Sequence, residues 1–217
     1  MITNPIPCRL VCSACLATFP AEIVKTFGTG GWLESDLCYR SYATFPYPYL
    51  VAVCPCCHWA AYIHDFEKLA YLPRYSDSEL SKALREHLEE QRVLYPGSRK
   101  YELAAHAYAR AGTPPLGIGD LYLRGVWCAR YEAAAEVEQR LQQEAIRWFE
   151  RALSQDLSGF ERARVFYLLG ELNRRLGRFE EAVRWFAGVG PAPAWLKSWT
   201  ARMSALAREH DPTIQVL

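Results

Sequence analysis

The chain has 217 residues, 51% hydrophobic and 23% charged, with 25 basic and 24 acidic side chains and a formal net charge of +1. That composition suits a soluble globular protein of one large or two small domains. The charge balance argues against a chain whose main work is gripping nucleic-acid phosphates, and no stretch reaches the roughly 18 apolar residues of a membrane helix.

Met1 to Pro7 offers neither the charged n-region nor the apolar h-region of a secretory signal. A cytoplasmic location is therefore expected. Thiols stay reduced there, so eight cysteines point to metal binding or redox chemistry before disulfides. Seven of them (Cys8, Cys12, Cys15, Cys38, Cys54, Cys56 and Cys57) fall in residues 1–75. This region balances Arg9, Lys25, Arg40, Lys68 and Arg74 against Glu22, Glu34, Asp36, Asp65 and Glu67. Gly28-Thr29-Gly30-Gly31 has the freedom of a turn. Phe45-Pro46-Tyr47-Pro48-Tyr49 resists helix, and Leu50-Val51-Ala52-Val53 is a short β-prone run leading into Cys54. The region reads as loop with a few strands, and its core is too small to stand without a staple.

Cys12-Ser13-Ala14-Cys15 and Cys54-Pro55-Cys56-Cys57 are two C-x-x-C pairs separated by residues 16–53. A C-x-x-C turn folds both thiolates toward one point, and two turns complete the tetrahedral sulfur shell that zinc prefers. Such a shell has no open position, which suits a structural ion better than a catalytic one. Backbone amides of the turns are expected to donate to the sulfurs. The residue after each second cysteine, Leu16 and His58, stands where φ tends to be positive, a conformation that histidine tolerates better than leucine. Cys56 or His58 therefore competes with Cys57 as the fourth ligand. Cys8, Cys38 and Cys128 read as small buried hydrophobes. A thiol–disulfide oxidoreductase using Cys54 and Cys57 is the sharpest rival: Val53-Cys54-Pro55-Cys56-Cys57 follows a strand, and a helix over residues 59–70 would lower the Cys54 pKa. The βαβ context of such enzymes is absent from the sequence.

Beyond residue 75 the pattern turns helical. Ser76-Asp77-Ser78-Glu79 reads as a capping box opening a helix to about residue 95, stopped by Pro96-Gly97. A second helix is predicted over 98–111, with Gly112 as its stop. Thr113-Pro114 suits an N-cap and first-turn proline for a third, which carries Leu121, Leu123, Val126, Trp127 and Arg130. A fourth is predicted over 133–153. Ser158-Gly159-Phe160-Glu161 caps a fifth, ended by Gly177, a sixth covers 179–187, and a seventh covers 195–210. Phe166-x₂-Leu169-Gly170-x₂-Asn173, then Ala182-x₃-Phe186 and Pro193, is similar to the tetratricopeptide pattern. Ala145-x₃-Phe149 repeats its second half, with an insertion around residues 130–141 lengthening the hairpin. In that geometry Arg164, Tyr167, Glu171 and Arg174 would line a concave groove for peptide or carboxylate; a plain helical bundle without a groove is the simpler reading.

Cys12-x-x-Cys15, Asp36-Leu37, Tyr49-x₄-Cys54-Pro-x-Cys57, Tyr101-Glu102-Leu103-Ala104, Leu121-Tyr122-Leu123-Arg124 and Gly170-Glu171-Leu172 through Gly177 together resemble an uncharacterised bacterial family, domain of unknown function 2225. The resemblance covers about residues 8–190. It implies a cysteine-rich part followed by tetratricopeptide-like helices, and no established activity; His58 stands where the family usually has glycine. The expected fold is mainly α: a zinc-ribbon-like β/loop domain over 1–75, then a tetratricopeptide-like antiparallel helical array over 76–217. No Walker loop, G-x-S-x-G, H-E-x-x-H or dinucleotide fingerprint is present. The expected function is a non-catalytic protein holding structural Zn²⁺ through Cys12, Cys15, Cys54 and Cys57 and binding a protein or peptide partner. A nucleic-acid-associated zinc ribbon is the third reading, weakened by the charge tally.

Overall fold

The computed structural model describes residues 5–25, 30–71 and 79–217. The Gly28-Thr29 half of the expected turn and the Ser76-Asp77-Ser78 cap lie outside them. The described residues are mainly helical, with seven α-helices and seven short strands, the strands all N-terminal to the helices. The last strand ends at Tyr71 and the first helix begins at Glu79, on either side of the composition break at residue 75.

Strand β1 (Ile6–Val11) is central in an antiparallel sheet of order β2-β1-β7, with β2 (Thr18–Ile23) and β7 (Glu67–Tyr71) at its edges. Alternation sends Cys8 and Leu10 inward and leaves Arg9 exposed, as the period of two in a strand requires. The register sets Leu10 opposite Phe19, so both enter a core with Ile23, Ala52, Ala61, Ile63 and Phe66. Two further antiparallel pairs join β3 (Gly31–Leu33) to β4 (Tyr39–Ser41) and β5 (Val51–Val53) to β6 (Ala60–Tyr62). The helix that the oxidoreductase reading needs over residues 59–70 does not form. That stretch is β6, a 3-10 turn at Ile63–Asp65, and β7. Pairing Val51 with Tyr62 and Val53 with Ala60 satisfies backbone groups of the buried β5, which a helix would leave without partners.

The helices are α1 (Glu79–Leu94), α2 (Gly97–Arg110), α3 (Pro115–Tyr131), α4 (Ala135–Ala152), α5 (Gly159–Arg175), α6 (Phe179–Ala187) and α7 (Ala194–Arg208). The proline signal acts one residue later than expected: Pro114 accepts the first helical bonds of α3 through its carbonyl, and Pro115 takes the first helical position. At α5 the capping box is complete. Ser158 Oγ accepts from Glu161 N at 3.3 Å, and Glu161 Oε2 accepts from Ser158 N at 2.9 Å. Gly177, at φ 74°, closes that helix, with Arg178 N donating to Asn173 O at 2.9 Å. Small residues sit where helices cross. A Cβ on Gly170 would lie 2.5 Å from the Phe186 ring, and one on Gly119 would lie 2.6 Å from the Phe149 ring. Residues 130–141, where an insertion is expected, form the end of α3, a tight turn with Ala133 at φ 56°, and the start of α4.

The chain divides into two compact units. The first comprises Met1–Gly31, Ser41–Thr113 and Arg124–Glu138; the second comprises Trp32–Arg40, Pro114–Leu123 and Gln139–Leu217. In the first, the Phe45–Tyr49 aromatics pack inward. Phe45 stacks on Tyr131 at 4.4 Å, Tyr47 meets Trp127 edge-on at 4.7 Å, and Tyr101 donates its hydroxyl to Tyr47 O at 3.1 Å. In the second, α5, α6 and α7 enclose Leu168, Leu169, Leu172, Ala182, Leu196 and Met203. No described helix is long and apolar enough to cross a membrane.

Candidate metal centre

Each C-x-x-C pair forms the turn of a β-hairpin, one between β1 and β2 and the other between β5 and β6. The two turns follow the same hydrogen-bond scheme. Cys12 N donates to Ala17 O at 2.9 Å and Leu16 N to Cys12 O at 2.9 Å; Cys54 N donates to Trp59 O at 2.8 Å and His58 N to Cys54 O at 2.9 Å. Closing the turn this way takes the residue after the second cysteine into the left-handed region, and Leu16 (φ 62°) and His58 (φ 59°) both adopt it. Leucine bears this in the open, 77% exposed. A left-handed conformation costs an L-residue about 1–2 kcal/mol, whereas glycine escapes it but loses more freedom on folding. Leu16→Gly is therefore expected to stabilise the protein by about 1 kcal/mol, read from denaturant midpoints. His58→Gly should gain less, because His58 Nδ1 lies 2.5 Å from the Tyr95 hydroxyl and that bond would be lost.

The turns bring Cys12, Cys15, Cys54 and Cys57 together with all four sulfurs within 4.8 Å of one another. Cys12 Sγ lies 3.6 Å from Cys57 Sγ, and Cys15 Sγ lies 3.6 Å from Cys54 Sγ. A tetrahedron with metal–sulfur bonds of about 2.3 Å has edges of about 3.8 Å, so the sulfurs already stand near ligand spacing. Cys12 and Cys54 are buried in the core of the first unit, and Cys15 and Cys57 face outward. Amides point at the sulfurs. A hydrogen bond from Ala17 draws the Cys15 thiol down to about 7, and the Trp59 amide acts on Cys57 in the same sense. Burial pushes Cys57 up to about 12 and raises Cys54, against the Cys56 and Cys57 amides that favour its thiolate. Thiols crowded this closely deprotonate together only if a cation offsets their charge.

Cys57, rather than Cys56 or His58, is the fourth member of the cluster. Cys56 is exposed outside the four-sulfur group, its thiol raised by the negative charge of Cys15, and the His58 ring is held by Tyr95. Cys8, Cys38 and Cys128 are each at most 1% exposed. Cys128 packs where a Cβ on Gly97 would come within 2.9 Å of its sulfur, and burial raises its pKa well above the usual thiol value.

The expected groove residues take other roles. Tyr167, Glu171 and Arg174 are fully buried and so line no open groove, while Arg164 makes two bonds to Asp120, at 2.9 and 3.0 Å. The reading of that helix face presumed an empty concave side. In the structure the side is filled by Ser35 and by the Asp211-to-Gln215 segment. Ser35 Oγ donates to Glu171 Oε1 at 2.6 Å, Tyr167 donates to Ser35 O at 2.7 Å, and Arg174 Nη2 donates to Thr213 O at 2.8 Å. Ser35 was not singled out by the sequence; the family-like Asp36-Leu37 beside it was the nearest signal.

A family model described as "Uncharacterized protein conserved in bacteria (DUF2225)" matches residues 8–214. Comparison with curated proteins and with solved structures returns no match.

Proposed function

Because this chain belongs to the DUF2225 family, we propose its function from its own geometry: a non-catalytic protein in which one structural zinc ion organises the N-terminal hairpins and tetratricopeptide-like helices engage a protein partner. The carrying observation is the four-sulfur cluster supplied by two hairpin turns of the same hydrogen-bond scheme. Four thiolates fill a tetrahedral shell, and a filled shell holds structure together without activating a water. Thiolate softness favours zinc over magnesium or calcium, and the placement of both cysteine pairs at hairpin tips supports the zinc-ribbon-like reading. The Gly170/Phe186 and Gly119/Phe149 crossings, with Ala182 and Ala145 one turn before each phenylalanine, support a repeated tetratricopeptide-like hairpin.

Against the oxidoreductase reading stand the buried, pKa-raised Cys54 and the strand that follows it in place of a helix. Elemental analysis of protein purified without added metal should find one zinc per chain. A thiol reagent should modify Cys12, Cys15, Cys54 and Cys57 only after a chelator is added. Metal-free, folded protein with a freely titrating Cys54 would return the oxidoreductase to first place.

A further inference from the structure

Two surface features of the first unit remain, one away from the four-sulfur cluster and one bordering it through Cys57. The outer face of α1 carries Glu86, Glu89, Glu90, Val93 and Leu94 at spacings i, i+3, i+4, i+7 and i+8, one continuous stripe of a helix. Val93 is 81% and Leu94 64% exposed, and the three glutamates make no ion pair with any described residue. Leu88 and Arg92 occupy the opposite side, Leu88 buried and Arg92 bound to Glu22 at 2.6 Å.

The second feature is an open cleft of about 770 Å³ between the last two turns of α2 and the two cysteine turns, which border it through Ala14, Cys57 and His58. Its α2 side presents Leu103, His106, Ala107, Arg110 and Ala111, again at i, i+3, i+4, i+7 and i+8, and Trp59 stands on the wall contributed by the second cysteine turn. No described acidic residue lines it, and the exposed Arg110 pairs with no described acid.

We propose that the chain associates with a second copy of itself by seating the outer face of α1 in this cleft. The two stripes are complementary when antiparallel. The α1 stripe runs acidic to apolar from its N-terminal end, and the α2 stripe runs from Leu103 to Arg110. Glu86, Glu89 and Glu90 then meet Arg110 and the His106 side, while Val93 and Leu94 cover Leu103 and Trp59. Both stripes span about 12 Å at 1.5 Å per residue. Ala107 and Ala111 are small enough to let a helix ridge approach closely. Carboxylate–guanidinium pairs supply orientation and salt sensitivity, and the exposed apolar side chains supply the area that drives contact. The inference goes beyond the scaffold reading, because it assigns a surface and an occupant where that reading assigns only a partner protein.

Sedimentation equilibrium of the full chain tests it. At low salt the average mass should climb above the 24.8 kDa of one chain as concentration rises through the micromolar range, and it should fall back at about 0.5 M salt. A triple variant (Glu86→Lys, Glu89→Lys, Glu90→Lys) and, separately, Arg110→Glu should each stay monomeric. An equimolar mixture of the two should associate again, as should a chain carrying all four changes. Metal content measured alongside separates this result from the zinc reading. A wild-type chain that stays monomeric throughout overturns the proposal, as does association that survives either charge reversal or a mixture that fails to restore it.

Discussion

Cys54→Ser should lose the metal and cost the protein more than about 5 kcal/mol, a large share of the 5–15 kcal/mol that holds most domains folded. The effect is this large because the site stands in for a core. The cluster of buried apolar residues around it is small, and Cys12 and Cys54 are themselves members of it. Metal binding to four-ligand zinc domains contributes roughly 10–16 kcal/mol that the unfolded chain does not share. Serine is a poor zinc ligand, and its hydroxyl would lie fully enclosed where Cys54 is 0% exposed. Hydrogen exchange gives the local readout. The Cys12, Leu16, Cys54 and His58 amides, which close the two turns, should lose their protection in the variant or in excess chelator. Cys38→Ala is the control: it removes an equally buried sulfur outside the cluster and should cost only about 1–2 kcal/mol of packing. Equal effects of the two substitutions would mean that the four sulfurs are packing atoms and no more.

What the sequence made legible divides along physical lines. Helices α2 to α7 could be read to within a residue or two because each is punctuated locally, by Gly112 and Gly177 at two ends and by the Ser158/Glu161 box at one beginning. The three-residue strands β3, β4 and β6 were not legible. A strand that short carries no period of its own and exists because a distant partner completes its ladder, as β5 does for β6. The four cysteines were legible because bringing two thiols of one turn to a common point requires the C-x-x-C spacing, and Leu16 was legible as a strained position because that turn closes on it. The groove was misread because the helical period identifies which residues share a face and says nothing about what covers it. Ser35 is 136 residues from Glu171, and Gln215, which donates to Ser35 Oγ at 3.1 Å, is 180 residues from Ser35. Such contacts leave no local trace.

Those same contacts give the second large expectation. Arg174→Leu should destabilise the protein by about 3–5 kcal/mol near neutral pH, because it strands a buried carboxylate. Both side chains of the Glu171–Arg174 pair are 0% exposed. Arg174 Nε donates to Glu171 Oε2 at 2.9 Å and Nη2 to Oε1 at 2.7 Å, and Ser35 adds a third bond to the carboxylate. Burial already raises the Glu171 pKa above the ordinary glutamate value of 4.5, with Arg174 the main opposing influence. Without Arg174 the carboxyl is driven further up and escapes its penalty by taking a proton. The native variant then holds a proton that the unfolded chain has released, so its stability falls as pH rises from the ordinary glutamate range through the raised native value. The gap between variant and wild type should accordingly be widest near neutrality and narrow toward about pH 5 in urea titrations. Adding Glu171→Gln to Arg174→Leu should recover part of the loss at neutral pH, since an amide with Ser35 for a partner is cheaper to bury than a lone charge. A gap that is unchanged across pH and unmoved by Glu171→Gln would assign the cost to lost packing around the arginine stem and remove the ion pair from the account of this core.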